Sequence, residues 1–227
     1  MTLVLTNDDG IDAPGIGALQ AALPGQGVAI VAPDRPLSGC SHQLNRGGPI
    51  GIDPRGDRAY AIAGTPADCT RVAVSHLYPE VRWVLSGINA GGNLGADIHV
   101  SGTVAAVREA TLLRVPGIAI SHYIHEGRPI DWAVATRLAA KVLAQLMQQT
   151  PPPGLFWNVN LPHLQAADPD PEIVVCPTCT QPLPTAFKVE DDQFYYVGKY
   201  RDRQRDVGAD VDVCLSGRIS VSAIRLW

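Results

Sequence analysis

Apolar residues along the first 160 positions fall into short runs, and these alternate with stretches in which apolar positions recur at helical spacing. Leu3, Val4 and Leu5 form the first run, apolar on both faces of a strand, and Ile16 to Leu23 reads as the helix that follows. Val28 to Ala32 is a second strand, stopped by Pro33. Pro66 to Leu77 reads as a helix with Thr65 as N-cap and proline in its first turn. Trp83 to Ser86 is a third strand, Val104 to Leu113 a helix and Ile118 to Ile120 a fourth strand. Asp131 to Gln149 is the clearest helix, because Trp132, Ala135, Leu138, Ala139, Val142, Leu143 and Leu146 share one face. Phe156 to Leu161 closes the series as a strand. Short strands apolar on both faces, separated by helices, predict a mostly parallel sheet covered on both sides. The expectation is a Rossmann-like, doubly wound α/β core over residues 1–164.

The pattern changes in the last third. Residues 151–153 are three prolines, and 162–192 is rich in Pro and Asp. Gln193 to Val197 and Arg218 to Leu226 alternate like strands. Residues 165–217 read as irregular and extended. The whole segment 165–227 is too poor in core-forming residues to stand alone, so it is expected to act as an oligomerisation arm with a final strand, burying its surface against a partner subunit.

Composition narrows the function. A chain of 227 residues and 24.1 kDa with 46% hydrophobic and 18% charged residues can build one sizeable core. A formal net charge of −4 argues against binding nucleic acid polymers through bulk positive charge. No segment approaches the roughly 20 apolar residues that span a bilayer, and the N-terminal stretch has no basic region before it turns acidic at Asp8. A cytoplasmic location is expected, with the five cysteines as reduced thiols.

In a doubly wound sheet the site lies beyond the carboxyl ends of the strands. Strand one runs into Thr6-Asn7-Asp8-Asp9-Gly10, where two adjacent carboxylates repel each other unless a cation offsets them. Hard oxygen donors without clustered Cys or His favour Mg²⁺ or Mn²⁺. The plain alternative is that one aspartate caps the next helix while the other faces water. Strand two runs into a loop containing Ser38, Gly39, Cys40, Ser41 and His42. Strand three runs into Ser86-Gly87-Ile88-Asn89-Ala90-Gly91-Gly92-Asn93, which offers a neutral oxygen at Asn89 and an amide at Asn93. Ser101, Gly102 and Thr103 then head a helix, where free backbone amides and hydroxyls suit a phosphate. A metal beside a phosphate cradle implies metal-assisted phosphoryl hydrolysis. Neither a P-loop nor a dinucleotide fingerprint is present.

Taken together, Thr6 to Ile11, Val31 to Asp34 with Ser38, Gly64 to Cys69, Ser86 to Asn89 and Ser101 to Thr103 resemble the SurE family, the survival-protein-E type 5′-nucleotidases. The likeness is dense over residues 1–122, with echoes in Asn158 to Pro162 and Gly208 to Leu226. It implies a divalent-metal-dependent phosphatase acting on nucleoside 5′-monophosphates, with 3′-nucleotides or short polyphosphate as further candidate substrates. It implies one Mg or Mn ion held by Asp8, Asp9, Ser38 and Asn89, and a phosphate held by Asn93, Ser101, Gly102 and Thr103. Asp8 and Asp9 are the candidate catalytic residues, and His42 is a candidate proton donor to the leaving group. It further implies a C-terminal part exchanged within a homodimer or tetramer. Two rivals stand beside this reading: a non-catalytic nucleotide-binding regulator on the same fold, and an aspartyl-phosphate phosphatase of the haloacid dehalogenase type, whose D-x-D spacing fits adjacent Asp8 and Asp9 badly.

Other features read as bland. Cys176-Pro-Thr-Cys179 has no second cysteine pair to complete a zinc site. Tyr195, Tyr196 and Tyr200 read as packing or interface residues, Asp68 and Arg71 as part of a helix start, and Asp206, Asp210 and Asp212 as solvated.

Overall fold

The computed structural model describes residues 2–227. The elements are β1 (Thr2–Thr6), α1 (Pro14–Ala21), β2 (Gly27–Pro33), β3 (Ile52–Gly56), β4 (Ala59–Ile62), α2 (Pro66–Val72), β5 (Val81–Ala90), α3 (Gly102–Leu112), β6 (Gly117–His122), α4 (Trp132–Leu146), β7 (Leu155–Leu161), β8 (Ile173–Val175), β9 (Phe187–Glu190), β10 (Gln193–Tyr196), α5 (Asp210–Leu215) and β11 (Ile219–Arg225).

Nine strands form one sheet in the order β3-β4-β2-β1-β5-β6-β7-β11-β8. The six from β4 to β7 are mutually parallel, while β3 and β11 run antiparallel to β4 and β7. The chain first winds outward from β1 through β2 to β4, then returns to the other side of β1 and winds through β5, β6 and β7. That reversal opens a crevice at the carboxyl ends of β1 and β5. The fold is therefore the expected doubly wound α/β sheet.

Both faces are covered, which explains the unbroken apolar strands. Leu3 and Leu5 join Ile16 and Leu19 of α1 and Leu138 and Leu143 of α4 in the larger core, while Val4 joins Cys69 of α2 and Ala110 of α3 on the opposite face. In α4 the predicted stripe is buried from Ala135 to Leu146, and Trp132 is half-buried beside it. Each such side chain contributes about 1.5–3 kcal/mol when fully buried, apart from the small alanines. Asp131 starts α4 by accepting hydrogen bonds from the Ala133 and Val134 amides. Thr65 and Asp68 form a reciprocal capping box at the head of α2, and beyond Val72 that helix widens into a π-turn over Ala73–Leu77.

Several elements differ from the sequence expectation. β3 carries Pro54 and is fully exposed, so it has neither apolar alternation nor strand propensity; it is held as an edge strand by β4. Residues 165–217 are more ordered than irregular. β8 lies beside β11 in the main sheet, and α5 buries Val211 and Cys214 with Leu94, Tyr123 and Cys179 in a small separate core. The strand predicted at Gln193 is present as β10, but it pairs only with β9 in a two-stranded hairpin outside the main sheet. Asp210 is not solvated. It is fully buried and accepts hydrogen bonds from the backbone N–H groups of Gly95, Cys179 and Val211, which satisfy its oxygens. Asp206 likewise accepts from Thr180 and Gln181, although it stays partly exposed.

Candidate active site

The carboxyl ends of β1 and β5 and the loop after β2 meet at one cleft of about 250 Å³. Its walls include Asp8, Asp9, Ser38, Asn89, Asn93 and Ser101. Local chemistry builds it. Asn7 clamps the turn after β1, donating from Nδ2 to the Gly10 carbonyl at 2.8 Å and accepting from the Gly10 N–H at 3.2 Å. That turn leaves Asp8 and Asp9 at the strand end. The Leu37 N–H donates to the Asp8 carbonyl at 2.7 Å, bringing Ser38 beside the aspartates. Ser41 ties the same loop to the segment before α3, through its N–H to the Val100 carbonyl and its hydroxyl to the His99 carbonyl.

Asp8 is buried, and the Thr103 hydroxyl donates to its Oδ1. Burial pushes its carboxyl up to about 6; the neighbouring Asp9 charge adds to that rise, while the Thr103 hydrogen bond opposes it. Asp9 is half-buried, with Oδ2 accepting from the Ala90 N–H at 3.1 Å. The Asn89 amide nitrogen donates to the Gly91 carbonyl at 2.7 Å, which leaves its oxygen as a neutral donor for a cation. At the head of α3, Ser101 Oγ caps the Val104 N–H and the Ser101 carbonyl takes the Ala105 N–H. The amides of Gly102 and Thr103 are among those that a helix start leaves without intrahelical partners. Gly102 is required by close approach, since a Cβ there would lie 2.7 Å from Asp8 Cβ and 2.9 Å from Cys40 Sγ.

All eight candidate residues therefore come together: six line the cleft, and Gly102 and Thr103 touch Asp8 directly. His42 does not join them. Its Nε2 lies 2.8 Å from Oε2 of the buried Glu109, whose other oxygen pairs with Arg71 at 3.0 Å, and it is not among the cleft's lining residues. Asn93 is more tightly held than its sequence suggested. Its N–H donates to Asn160 Oδ1, its Nδ2 donates to Ser121 Oγ, and its carbonyl accepts from both Asn158 and Asn160.

One wall was missed altogether. Asp97 lines the cleft and is gripped by Arg203 at 2.9 Å and by the Tyr200 hydroxyl at 2.6 Å. Arg203 also donates to the Leu94 carbonyl, and its side chain is fully buried. In sequence Arg203 sits within Tyr-Arg-Asp-Arg-Gln-Arg-Asp, which has the signature of a solvated charge run. Only the tertiary fold reveals it as a buried cation.

Could the cleft hold a divalent cation? Among the described residues no three His, Cys, Asp or Glu side chains cluster as a metal site. The oxygens available here are two carboxylates, an amide and a hydroxyl, a hard donor set that suits Mg²⁺ or Mn²⁺. Burial raises the Asp8 carboxyl and the Asp9 charge adds to the rise, and a cation placed between the two carboxylates would offset both effects, so the residues fit the ion.

Fold and site together define an α/β protein with an oxygen-donor pocket and a helix N-terminus at the switch point of its sheet. The family described as Survival protein SurE matches residues 3–182. The chain belongs to the SurE family. It is 52% identical over its whole length to a putative 5′-nucleotidase of Nostoc sp., all of which is covered. It is 34% identical, over all of this chain and 93% of the relative, to a protein of Geotalea daltonii named 5′-nucleotidase SurE. The crystal structure of a SurE protein from Aquifex aeolicus superposes with a TM-score of 0.86 at 29% identity, covering 99% of this chain and 93% of the other.

Proposed function

We propose that this protein is a divalent-cation-dependent phosphomonoesterase that hydrolyses nucleoside 5′-monophosphates to nucleoside and phosphate. The observation that carries the reading is the meeting of Asp8, from the end of β1, with the head of α3 in one cleft: Thr103 donates to the carboxylate, and Gly102 has no room for a side chain against it. Carboxylates and a helix N-terminus face opposite charges, so their convergence suits a cation and a phosphate side by side. The names carried by the relatives point the same way.

Asp8, Asp9, Ser38 and Asn89 would hold the cation, which would supply charge neutralisation and lower the pKa of a water. Asp8 or Asp9 orients the attacking water and takes up its proton. The α3 amides of Gly102 and Thr103, the Ser101 hydroxyl and the free amide hydrogen of Asn93 hold the phosphoryl oxygens as charge builds on them. The departing 5′-oxygen takes a proton from solvent. Three hydrogen bonds on the Asn93 backbone and one from its Nδ2 to Ser121 hold the residue in place, so little reorganisation is needed during reaction. 3′-Nucleotides and short polyphosphate present the same phosphoryl group and belong in the substrate panel.

Residues 1–164 form the catalytic core in this reading, and 165–227 serve as the arm of a homodimer or tetramer. The exposed β9–β10 hairpin supports that assignment, since Phe187, Phe194, Tyr195 and Tyr196 all lie open to water and an isolated hairpin is marginally stable. Among the described residues no helix is long and apolar enough to cross a membrane. Five free thiols fit a reducing, cytoplasmic setting.

The test is phosphate release from a nucleoside 5′-monophosphate with Mg²⁺ or Mn²⁺. Asp8→Asn and Asp9→Asn are each expected to lower kcat/KM by about 10²-fold or more, the scale of losing one electrostatic anchor. Near wild-type turnover in both variants would end the proposal.

A further inference from the structure

A second cavity, of about 410 Å³, is linked to the catalytic cleft through Tyr200. Its walls include Tyr123, Ile124, Glu126, Lys199, Tyr200 and Arg201. Tyr200 separates the two spaces. Its hydroxyl donates to Asp97, which lines the cleft, and it lies 3.5 Å from where a Cβ on Gly92, another cleft residue, would be. We infer that this cavity is the subsite for the base of the nucleotide, an assignment that rests on the phosphomonoesterase reading of the cleft.

Shape, chemistry and rigidity support this. The cavity is larger than the cleft, and its volume falls in the range of small-molecule sites, whereas the cleft alone suits a phosphate and a cation. A nucleobase is a flat apolar body with a polar edge. The stacked rings of Tyr123 and Tyr200, 27° apart in plane, give an apolar wall with Ile124 beside them. Arg201 and Glu126, paired in the cavity's lining, offer donors and acceptors to that polar edge. Lys199 adds an exposed positive charge to the lining, which favours an anionic substrate. The Tyr200 ring is fixed from three directions: Asp97 accepts its hydroxyl, Tyr123 stacks on it and the Arg203 guanidinium sits 4.9 Å from its centroid. Burial and the Asp97 carboxylate keep its phenol protonated, so it remains a donor. A wall held this firmly binds with little ordering cost.

The other cavities are less suited. One flanked by Gly95, His99 and Thr178 has no Phe, Tyr or Trp in its lining. Two more lie at the amino ends of the strands, at Pro151–Pro153 and between α1 and α4, on the edge of the sheet away from Asp8.

The test fills the cavity and uses two readouts. Ile124→Trp places an indole in the space from a half-buried position. Free adenosine, which carries no phosphate and needs no cation, is titrated calorimetrically into wild type and variant. Phosphate release is then compared between adenosine 5′-monophosphate and ribose 5-phosphate, which lacks the base. The variant should weaken adenosine binding at least about tenfold and lower kcat/KM for the nucleotide by a similar factor, with ribose 5-phosphate changed less than about twofold. Ile124→Ala removes the same apolar wall without steric load and should weaken adenosine binding about threefold; it keeps the test in hand if the tryptophan variant does not fold. Unchanged adenosine binding in both variants, or equal losses on both phosphate esters, would overturn the assignment. A wild type that releases phosphate from no nucleotide would strike the phosphomonoesterase reading instead, and the adenosine titration would still decide whether the cavity takes a nucleoside.

Discussion

Gly102→Ala is the sharpest single-atom probe of the cleft. The new Cβ would lie 2.7 Å from Asp8 Cβ, 2.9 Å from Asp8 Oδ2 and 2.9 Å from Cys40 Sγ, where ordinary contact begins at 3.4 Å. The head of α3 and the end of β1 must therefore separate by about 0.7 Å to reach that limit, and both are backbone-anchored. Overpacking of this kind costs about 1–3 kcal/mol, and alanine in a helix returns at most about 1 kcal/mol, less at a first-turn position. A net loss of about 1–2 kcal/mol in stability is expected. Activity should fall further, because a displacement near 1 Å between the carboxylate and the oxyanion site costs on the order of 10²-fold in rate. Gly17→Ala is the matched control: Gly17 lies within α1, is exposed and has nothing within 4 Å of a Cβ. It should gain about 0.5–1 kcal/mol and leave turnover unchanged. Urea unfolding and steady-state phosphate release on both variants give the answer. If Gly102→Ala behaves like Gly17→Ala in both measurements, the close approach of α3 to Asp8 is wrong, and with it the shared cation and phosphate site.

Two further perturbations address the walls around the site. Arg203→Met leaves Asp97 without its buried guanidinium partner and should cost about 3–5 kcal/mol in urea unfolding, with partial recovery in the Asp97→Asn double variant; additive losses would show that the pair is not coupled. His122, 1% exposed with both ring nitrogens unpartnered, has its pKa lowered from 6.5 to about 4, chiefly by burial. The unfolded chain therefore takes up a proton below pH 6.5 that the folded chain refuses. Stability from this group is full above pH 6.5 and falls by about 3 kcal/mol on acidification to pH 4. His122→Leu should flatten that part of the stability curve, and an unchanged slope between pH 7 and 4 would refute the assignment.

The core and the cleft were legible for the same reason. In a doubly wound sheet, buried parallel strands write continuous apolar runs, and whatever follows each run lies on one edge. Asp8, Asn89 and Ser101 could thus be gathered from three distant stretches without knowing a single contact. What escaped was written in a different code. β3 is a polar edge strand held only by β4, and β8 is three residues long, so neither carries a periodicity to find. Asp97, Arg203 and Asp210 are charged residues that each have a partner 103 or more positions away, and a charge in a polar context reads as solvated until such partners are placed.

Those buried charges link the tail to the chemistry. The cleft wall at Leu94–Asp97 makes hydrogen bonds to Arg203, Tyr200 and Asp210, all of them in the C-terminal segment. Removing that segment would leave Asp97 in the cleft wall without its buried cationic partner. The C-terminal segment thus builds part of the cleft wall, as the strand ends build the rest. The same three residues must be delivered to that wall whether they come from this chain or, in an exchanged dimer, from its partner. Either way, under the proposed function, the charge balance of the cleft depends on the docking of this segment, and activity depends on it too.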